Sequence, residues 1–228
     1  MKLKEIFSKI YGAVFVKFSK KFSRKNLRLF IERAINEHDV DKKDVILNIG
    51  AGGETTSWLR QKNLKFKELD INAALEPDYV LSIEDMHLIP DDSVDVIFLM
   101  EVLHHVQNPF NAVSEMNRIL RTGGLVIGST AFVFPICDAP YDYFRYTKYG
   151  IINLFKKFEC LKLAERNSYF DTIYVILLRL FIIGSAKEKI ISILLFPVYI
   201  IILPFIAFLN IAAASQNATT GYFFIFKK

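Results

Sequence analysis

Short apolar runs alternate with longer amphipathic ones along most of this chain. Residues 45–49 (VILNI) have the pattern of a buried strand closed by the glycine cluster at 50–53, and residues 54–62 that of the helix behind it. A second strand is expected over 64–69, ending at Asp70, a weaker third over 79–81, and a fourth over 94–100 (VDVIFLM). Pro109 suits the first turn of a helix reaching Leu120, because Ala112, Val113, Met116, Ile119 and Leu120 fall on one stripe. The pair at 123–124 is expected to stop that helix and launch a fifth strand over 125–129. A helix over 148–156, a sixth strand near 160–165 and an aromatic last strand over 221–227 follow. Apolar strands separated by helices predict an α/β fold, a largely parallel sheet covered on both faces.

One stretch departs from this rhythm. Residues 172–183 (TIYVILLRLFII) are apolar apart from Arg179, and residues 190–209 (IISILLFPVYIIILPFIAFL) carry no charge. By length alone the second is a membrane-spanning candidate. Pro197 and Pro204 each remove a backbone donor and predict kinks in it.

Composition narrows the class. Hydrophobic residues make up 52% of 228, which excludes a mainly disordered chain. Two cysteines, Cys137 and Cys160, cannot build a disulfide scaffold, so a reducing compartment is expected, and no His, Cys and Asp cluster has metal-ligand spacing. The net charge of +5 is local: residues 1–30 hold nine basic side chains against Glu5, which leaves the rest about three charges negative. Phe15, Phe18 and Phe22 interleave with those lysines and arginines, a pattern that suits either an anionic bilayer surface or an amphipathic helix packed on the domain. Nucleic acid is not the expected partner, and lysines interrupt any secretory-signal pattern.

The loop LNIGAGGE places Gly50 and Gly52 directly after the first strand, where missing Cβ atoms let backbone pass close beneath a ligand. No GKS or GKT follows, so a phosphate-wrapping loop is excluded. Asp70 ends the second strand, 20 residues after Gly50, where an acid can accept from two ribose hydroxyls. This pattern alone suits NAD and an adenosyl-sulfonium cofactor equally.

Three further stretches decide between them: residues 101–105 (EVLHH), 118–124 (RILRTGG) and 140–147 (PYDYFRYT). With the glycine loop they resemble the class I S-adenosylmethionine-dependent methyltransferases, in a type 11-like branch associated with glycan assembly. The resemblance covers about residues 45–165 and returns in the last strand, and it implies a seven-stranded Rossmann-like sheet. It also implies that Gly50, Ala51 and Gly52 support the methionine part of S-adenosylmethionine, with Asn48 standing where the family carries an acid. Asp70 takes the ribose and Ile71 lies beside the adenine. Strict register puts Ser82 at the adenine amino group; counting back from Pro90 instead gives Asp85, with Met86 as backbone contact, and the carboxylate is the better acceptor. Glu101 falls near the sulfonium. Tyr141, Asp142 and Arg145 border the acceptor pocket, although Asp142 and Arg145 could simply pair with each other. Cys137 stands where the family often carries a histidine, which leaves His105 and Tyr143 as candidate catalytic groups.

The expected reaction is methyl transfer to an oxygen, less readily a nitrogen, of a small or lipid- or glycan-linked acceptor. In this fold the last strand inserts antiparallel, so a single crossing at 190–209 would strand it on the far side of the membrane. The expectation is a basic arm at 1–30, a core at 31–170, an apolar insertion at 171–214 attached without crossing to the cytoplasmic face of an anionic membrane, and a closing strand at 215–228. Nothing in the sequence fixes the oligomeric state. The rival functions are an NAD(P)-dependent oxidoreductase and a non-catalytic membrane adaptor that kept the fold.

Overall fold

Apolar residues at successive positions of one strand can all be buried only if both faces of the sheet are covered, and that is how this sheet is built. The computed structural model describes residues 11–23, 26–213, 215 and 217–228; the expectations placed on residues 1–10, Arg24 and Lys25 lie outside the described residues. Strands β1 (Ile46–Ile49), β2 (Lys67–Asp70), β3 (Tyr79–Val80), β4 (Val94–Met100), β5 (Leu120–Ala131), β6 (Glu159–Glu165) and β7 (Gly221–Lys227) form one sheet in the order β3-β2-β1-β4-β5-β7-β6. The pairs β1/β2, β2/β3, β1/β4 and β4/β5 are parallel, and β7 runs antiparallel to β5.

Side chains alternate between two cores. Val94, Ile97 and Leu99 of β4 and Tyr222, Phe224 and Phe226 of β7 join one core with residues of α4 (Pro109–Ile119) and α5 (Lys148–Leu154). Val96, Phe98 and Met100, with Phe223 and Ile225, join the other with residues of α2 (Leu27–Glu37) and α3 (Gly53–Gln61). Leu27 and Phe30, read from the sequence as part of the basic arm, are buried in that second core. Two other expectations shift. The second strand begins at Lys67 rather than 64. The fifth begins at Leu120, already extended at φ −70° and ψ 138° and paired with Val94, so the glycines at 123–124 lie inside a strand whose register slips between Val94 and Val96.

The chain divides into two compact units, the sheet unit (27–132, 138–164 and 221–228) and a helical unit that takes the described residues up to Asn26 together with 133–137 and 165–220. The helical unit contains α1 (Lys17–Ser23), α6 (Tyr169–Ile183), α7 (Ala186–Leu194) and α8 (Phe196–Ala212). Its core joins Tyr174, Leu178 and Phe181 of α6 to Tyr199 of α8, with Phe15, Phe18 and Phe22 packed against them. Those phenylalanines are therefore spent on packing, while Lys17, Lys20 and Lys21 stay exposed. The run expected over 190–209 is broken at Leu195 into two helices bent by 64°. Pro197 falls in the first turn of α8, where its missing N–H is not needed, and Pro204 sits inside α8 without ending it. Among the described residues no single helix is long and apolar enough to cross a membrane; α7 and α8 taken together are, by length and composition only.

A polar knot closes the insertion on itself. Asn210, near the end of α8, donates to Asp171 Oδ1 at 3.0 Å and accepts from the hydroxyl of Ser168, the N-cap of α6. Asn167 Oδ1 gathers the hydroxyls of Thr172, Thr219 and Thr220 and the Thr220 amide, at 2.9–3.2 Å. The chain thus leaves and returns at one place. Buried groups this fully partnered are costly to separate.

In the sheet unit, the β5/β7 pairing sets Gly128 directly opposite Phe224, and a Cβ on Gly128 would run into that ring and sit 3.0 Å from the Leu99 carbonyl oxygen. Gly128→Ala is expected to destabilise the protein by about 2 kcal/mol, an ordinary overpacking cost, measured by urea unfolding. Adding Phe224→Leu to that variant should recover part of the loss.

Candidate active site

The parallel strands end on one edge, and the cleft lies there, as strand order and crossover handedness require of an open α/β sheet. It encloses about 670 Å³ and is lined by residues following β1 (Gly50), β2 (Asp70, Ile71, Leu75), β3 (Leu81 to Glu84), β4 (Glu101, Val102, His105 to Gln107) and the loop before α5 (Asp138, Tyr141, Tyr143). That volume suits a nucleoside-sized ligand with a small co-substrate.

The glycine loop is shaped by close approach. Gly50 has φ +91°, and a Cβ there would lie 2.7 Å from Val102 Cγ2, so only glycine leaves this floor open. Asp70 anchors the neighbouring turn. Its Oδ2 accepts from Ala51 N and its Oδ1 from Asn72 N, both at 2.8 Å. Each carboxylate oxygen keeps a further lone pair on a side chain that lines the cleft. Ile71 is 76% exposed at the rim, an apolar plate beside it.

Beyond β4 the chain turns through Glu101, a non-glycine residue at φ +60°, whose amide donates to Ser129 O at 3.0 Å and whose Oε1 accepts from Ser129 Oγ at 2.6 Å. The next two side chains of interest are adjacent histidines with opposite surroundings. His104 is 2% exposed, and burial pushes its pKa down to about 4 against a smaller opposing pull from Glu101. Its carbonyl accepts from the amides of Tyr143 and Phe144, at 2.9 and 3.2 Å, and so staples the 141–144 loop to the end of β4. His105 lines the cleft: Nδ1 lies 2.6 Å from the Tyr141 carbonyl oxygen and Nε2 3.8 Å from Asp138 Oδ2. Tyr143, also in the cleft, accepts from Gln107 Nε2 at 2.9 Å.

Not every residue singled out from the sequence reaches the cleft. Gly50, Asp70, Ile71, Glu101, His105, Tyr141 and Tyr143 line it. Ala51 and Gly52 form the loop behind Gly50, and Asn48 lies beneath that loop at 1% exposure. Asp85 and Met86 do not line the cleft. The Asp85 side chain is 72% exposed and paired with His87, while Met86 is fully buried, its amide donating to Glu115 and its carbonyl accepting from Arg118. Ser82, Ile83 and Glu84 line the cleft instead, with Glu84 Oε1 holding the amides of Gln107 and Asn108 at 3.0 Å. Asp142 and Arg145 form a two-pronged ion pair, with the Asp142 side chain 2% exposed, and neither lines the cleft. Glu84 and Glu68 went unnoticed in the sequence.

The depressed His104 pKa makes a pH prediction. Between about 4 and 6.5 the unfolded chain binds a proton at this residue that the folded chain refuses, so stability falls as pH is lowered through that window. The contribution approaches about 3 kcal/mol at the low end. Thermal unfolding of wild type and His104→Gln at pH 6.5 and 4.5 should show a shallower pH dependence in the variant.

Residues 47–128 match the model of a methyltransferase domain. No curated protein matches the chain. Among solved structures, an S-adenosylmethionine-dependent methyltransferase from Archaeoglobus fulgidus aligns over 94% of this chain and all of its own, with TM-score 0.55 and 17% identity. A phosphoethanolamine N-methyltransferase 2 from Haemonchus contortus aligns over 92% of this chain and 56% of its own, with TM-score 0.55 and 16% identity. The 4+2 cyclase SpnF gives TM-score 0.58 at 12% identity, over 88% of this chain and 81% of its own. Identities this low speak for fold alone, and the cyclase shows that the fold carries more than one chemistry. The floor that only glycine leaves open, the Glu101 carboxylate and the lone pairs of Asp70 in the cleft suit a ligand with a positive charge and a ribose. Domain match, strand order and cleft agree: this chain carries a class I S-adenosylmethionine-dependent methyltransferase domain, and S-adenosylmethionine is its cofactor.

Proposed function

We propose that the protein transfers a methyl group from S-adenosylmethionine to an oxygen of a small or lipid- or glycan-linked acceptor, with His105 taking the proton. The observation that carries this reading is the imidazole in the cleft. Its Nδ1 faces the Tyr141 carbonyl at 2.6 Å, and a carbonyl only accepts, so Nδ1 bears the ring's hydrogen and Nε2 keeps a lone pair. Asp138 Oδ2 lies 3.8 Å from Nε2. A hydroxyl needs such a base and an amine needs it less, which favours oxygen.

The cofactor supplies an electrophilic methyl group on a positively charged sulfur that leaves as a neutral thioether. The protein's part is alignment and exclusion of water. Asp70 offers free lone pairs to sugar hydroxyls, Ile71 and Leu75 offer apolar surface to a flat base, and Ser82 and Glu84 offer acceptors beyond it. Tyr143, whose oxygen already accepts from Gln107, has its own proton to donate to an acceptor molecule. The stapled 141–144 loop keeps that group and the Tyr141 carbonyl in place.

Attachment to the cytoplasmic face of an anionic membrane is part of the same proposal. Val198, Ile201, Phe205, Phe208 and Ile211 are 47–85% exposed at spacings that put them on one face of α8, and Ile190, Ile191 and Leu194 of α7 are 54–72% exposed. Such a face, in a unit with exposed Lys17, Lys20, Lys21 and Lys187, suits a helix pair lying in the interface. The knot at Asn210 supports a re-entrant path over a crossing. A lipid-linked acceptor follows from that location.

Labelled cofactor offered with membrane-lipid and glycan extracts tests the chemistry. Wild type should label an acceptor, and His105→Asn should lower the rate by about 100-fold while S-adenosylhomocysteine affinity stays within about threefold. An unchanged rate would remove His105 as base, and cofactor binding without labelling would favour the adaptor. For attachment, the intact protein should float with phosphatidylglycerol vesicles, and Ile201→Glu with Phe205→Glu should abolish flotation. A wild type that stays in solution without detergent would refute attachment.

A further inference from the structure

A carboxylate lies beneath the glycine loop, outside the cleft. Glu68 on β2 is the register partner of Asn48 on β1, so the two side chains leave the sheet side by side. Glu68 is 7% exposed and Asn48 1%. Glu68 Oε1 accepts from Thr56 Oγ1 at 2.7 Å and, at 3.4 Å, from Gly52 N and Asn48 Nδ2. Its Oε2 accepts from Arg60 at 2.9 Å, and the Arg60 side chain is 68% exposed, so solvent weakens that one formal neutralisation. Asn48 Nδ2 also reaches Gly50 O at 3.3 Å and Thr56 Oγ1 at 3.1 Å, while Oδ1 meets no donor. The amide cannot turn over, because its oxygen would then face the Glu68 carboxylate and the Gly50 carbonyl.

We infer that Glu68 is the positioning residue of the glycine loop and the source of the negative charge beneath it, with the Asn48 amide as its neutral partner. The carboxylate acts through two points of the loop, directly on the Gly52 N–H and through Asn48 on the Gly50 carbonyl. A ligand end bearing an ammonium gains from charge stationed behind that backbone, and a plain adenosine end does not. The inference rests on the cleft being the S-adenosylmethionine site.

Calorimetric binding of S-adenosylhomocysteine, which carries the amino-acid end, and methylthioadenosine, which lacks it, tests this on wild type, Glu68→Gln, Asn48→Asp and the double variant. Glu68→Gln should weaken S-adenosylhomocysteine about tenfold and methylthioadenosine less than about twofold. The double variant, which moves the charge one strand over at constant shape, should return to within about threefold of wild type. Asn48→Asp alone sets two carboxylates side by side and should lower the melting temperature of the ligand-free protein without tightening either ligand. Equal losses for both ligands, no loss for either, or no recovery in the double variant would overturn the assignment. If Glu68→Gln does not fold, the double variant decides alone. A wild type that binds neither compound would remove the cofactor reading itself.

Discussion

The position of β7 constrains everything after residue 165. It lies between β5 and β6, antiparallel to β5, so a chain that has already finished β6 must come back to fill a gap inside the sheet. Five of its residues in a row are buried aromatic or aliphatic side chains, alternating between the two cores, and no sheet of this size can leave such a strand unmade. The route between is free only so long as it ends where it began. Asn210 bonded to both Ser168 and Asp171 is how the chain meets that condition.

In the cleft, the same economy of contacts separates two neighbours of identical chemistry. His104 gives its backbone carbonyl to the 141–144 loop and loses its ring to the interior, where the charged form is unfavourable. His105, one residue on, returns its ring to the stapled loop through the Tyr141 carbonyl, and that single acceptor settles which nitrogen carries the hydrogen. The loop is therefore held by the first histidine and orients the second. Arg118 does comparable work at the far side, binding Glu115, Asp91 and the carbonyls of Met86 and Ile89, which fixes the turn that presents Ser82 to Glu84.

Much of the fold is legible in the amino-acid sequence. Periodicity located the strands at 46–49, 94–100 and 221–227 and the helix from Pro109, because each is an uninterrupted apolar or amphipathic pattern with a clear stop. Gly50 and Asp70 were legible because a tight turn and an acid at a strand end leave distinct residue types. Asp85 lies off the cleft, since counting from Pro90 carries no information about which way a turn residue faces, and Arg118 holds the neighbouring carbonyls of Met86 and Ile89. Asp142 and Arg145 lie off the cleft and pair with each other, the alternative that a charged pair three apart always offers. Glu68 was illegible for a different reason: its partner Asn48 is twenty residues away and adjacent only through parallel register.

The helical unit raises a separate energetic question. Its core is small, four buried aromatic or aliphatic side chains with partly buried neighbours, yet α7 and α8 leave nine large apolar side chains exposed. A helix apolar on both sides is stable in water only if something covers the outer side. Phe15, Phe18 and Phe22 do not, since they are committed to the inner core. The sheet unit owes its two cores to its own strands and helices, so covering or uncovering the outer face of α8 leaves the cofactor cleft with the same supports. The supports of the cleft and the apolar face of α8 thus belong to different units of this chain.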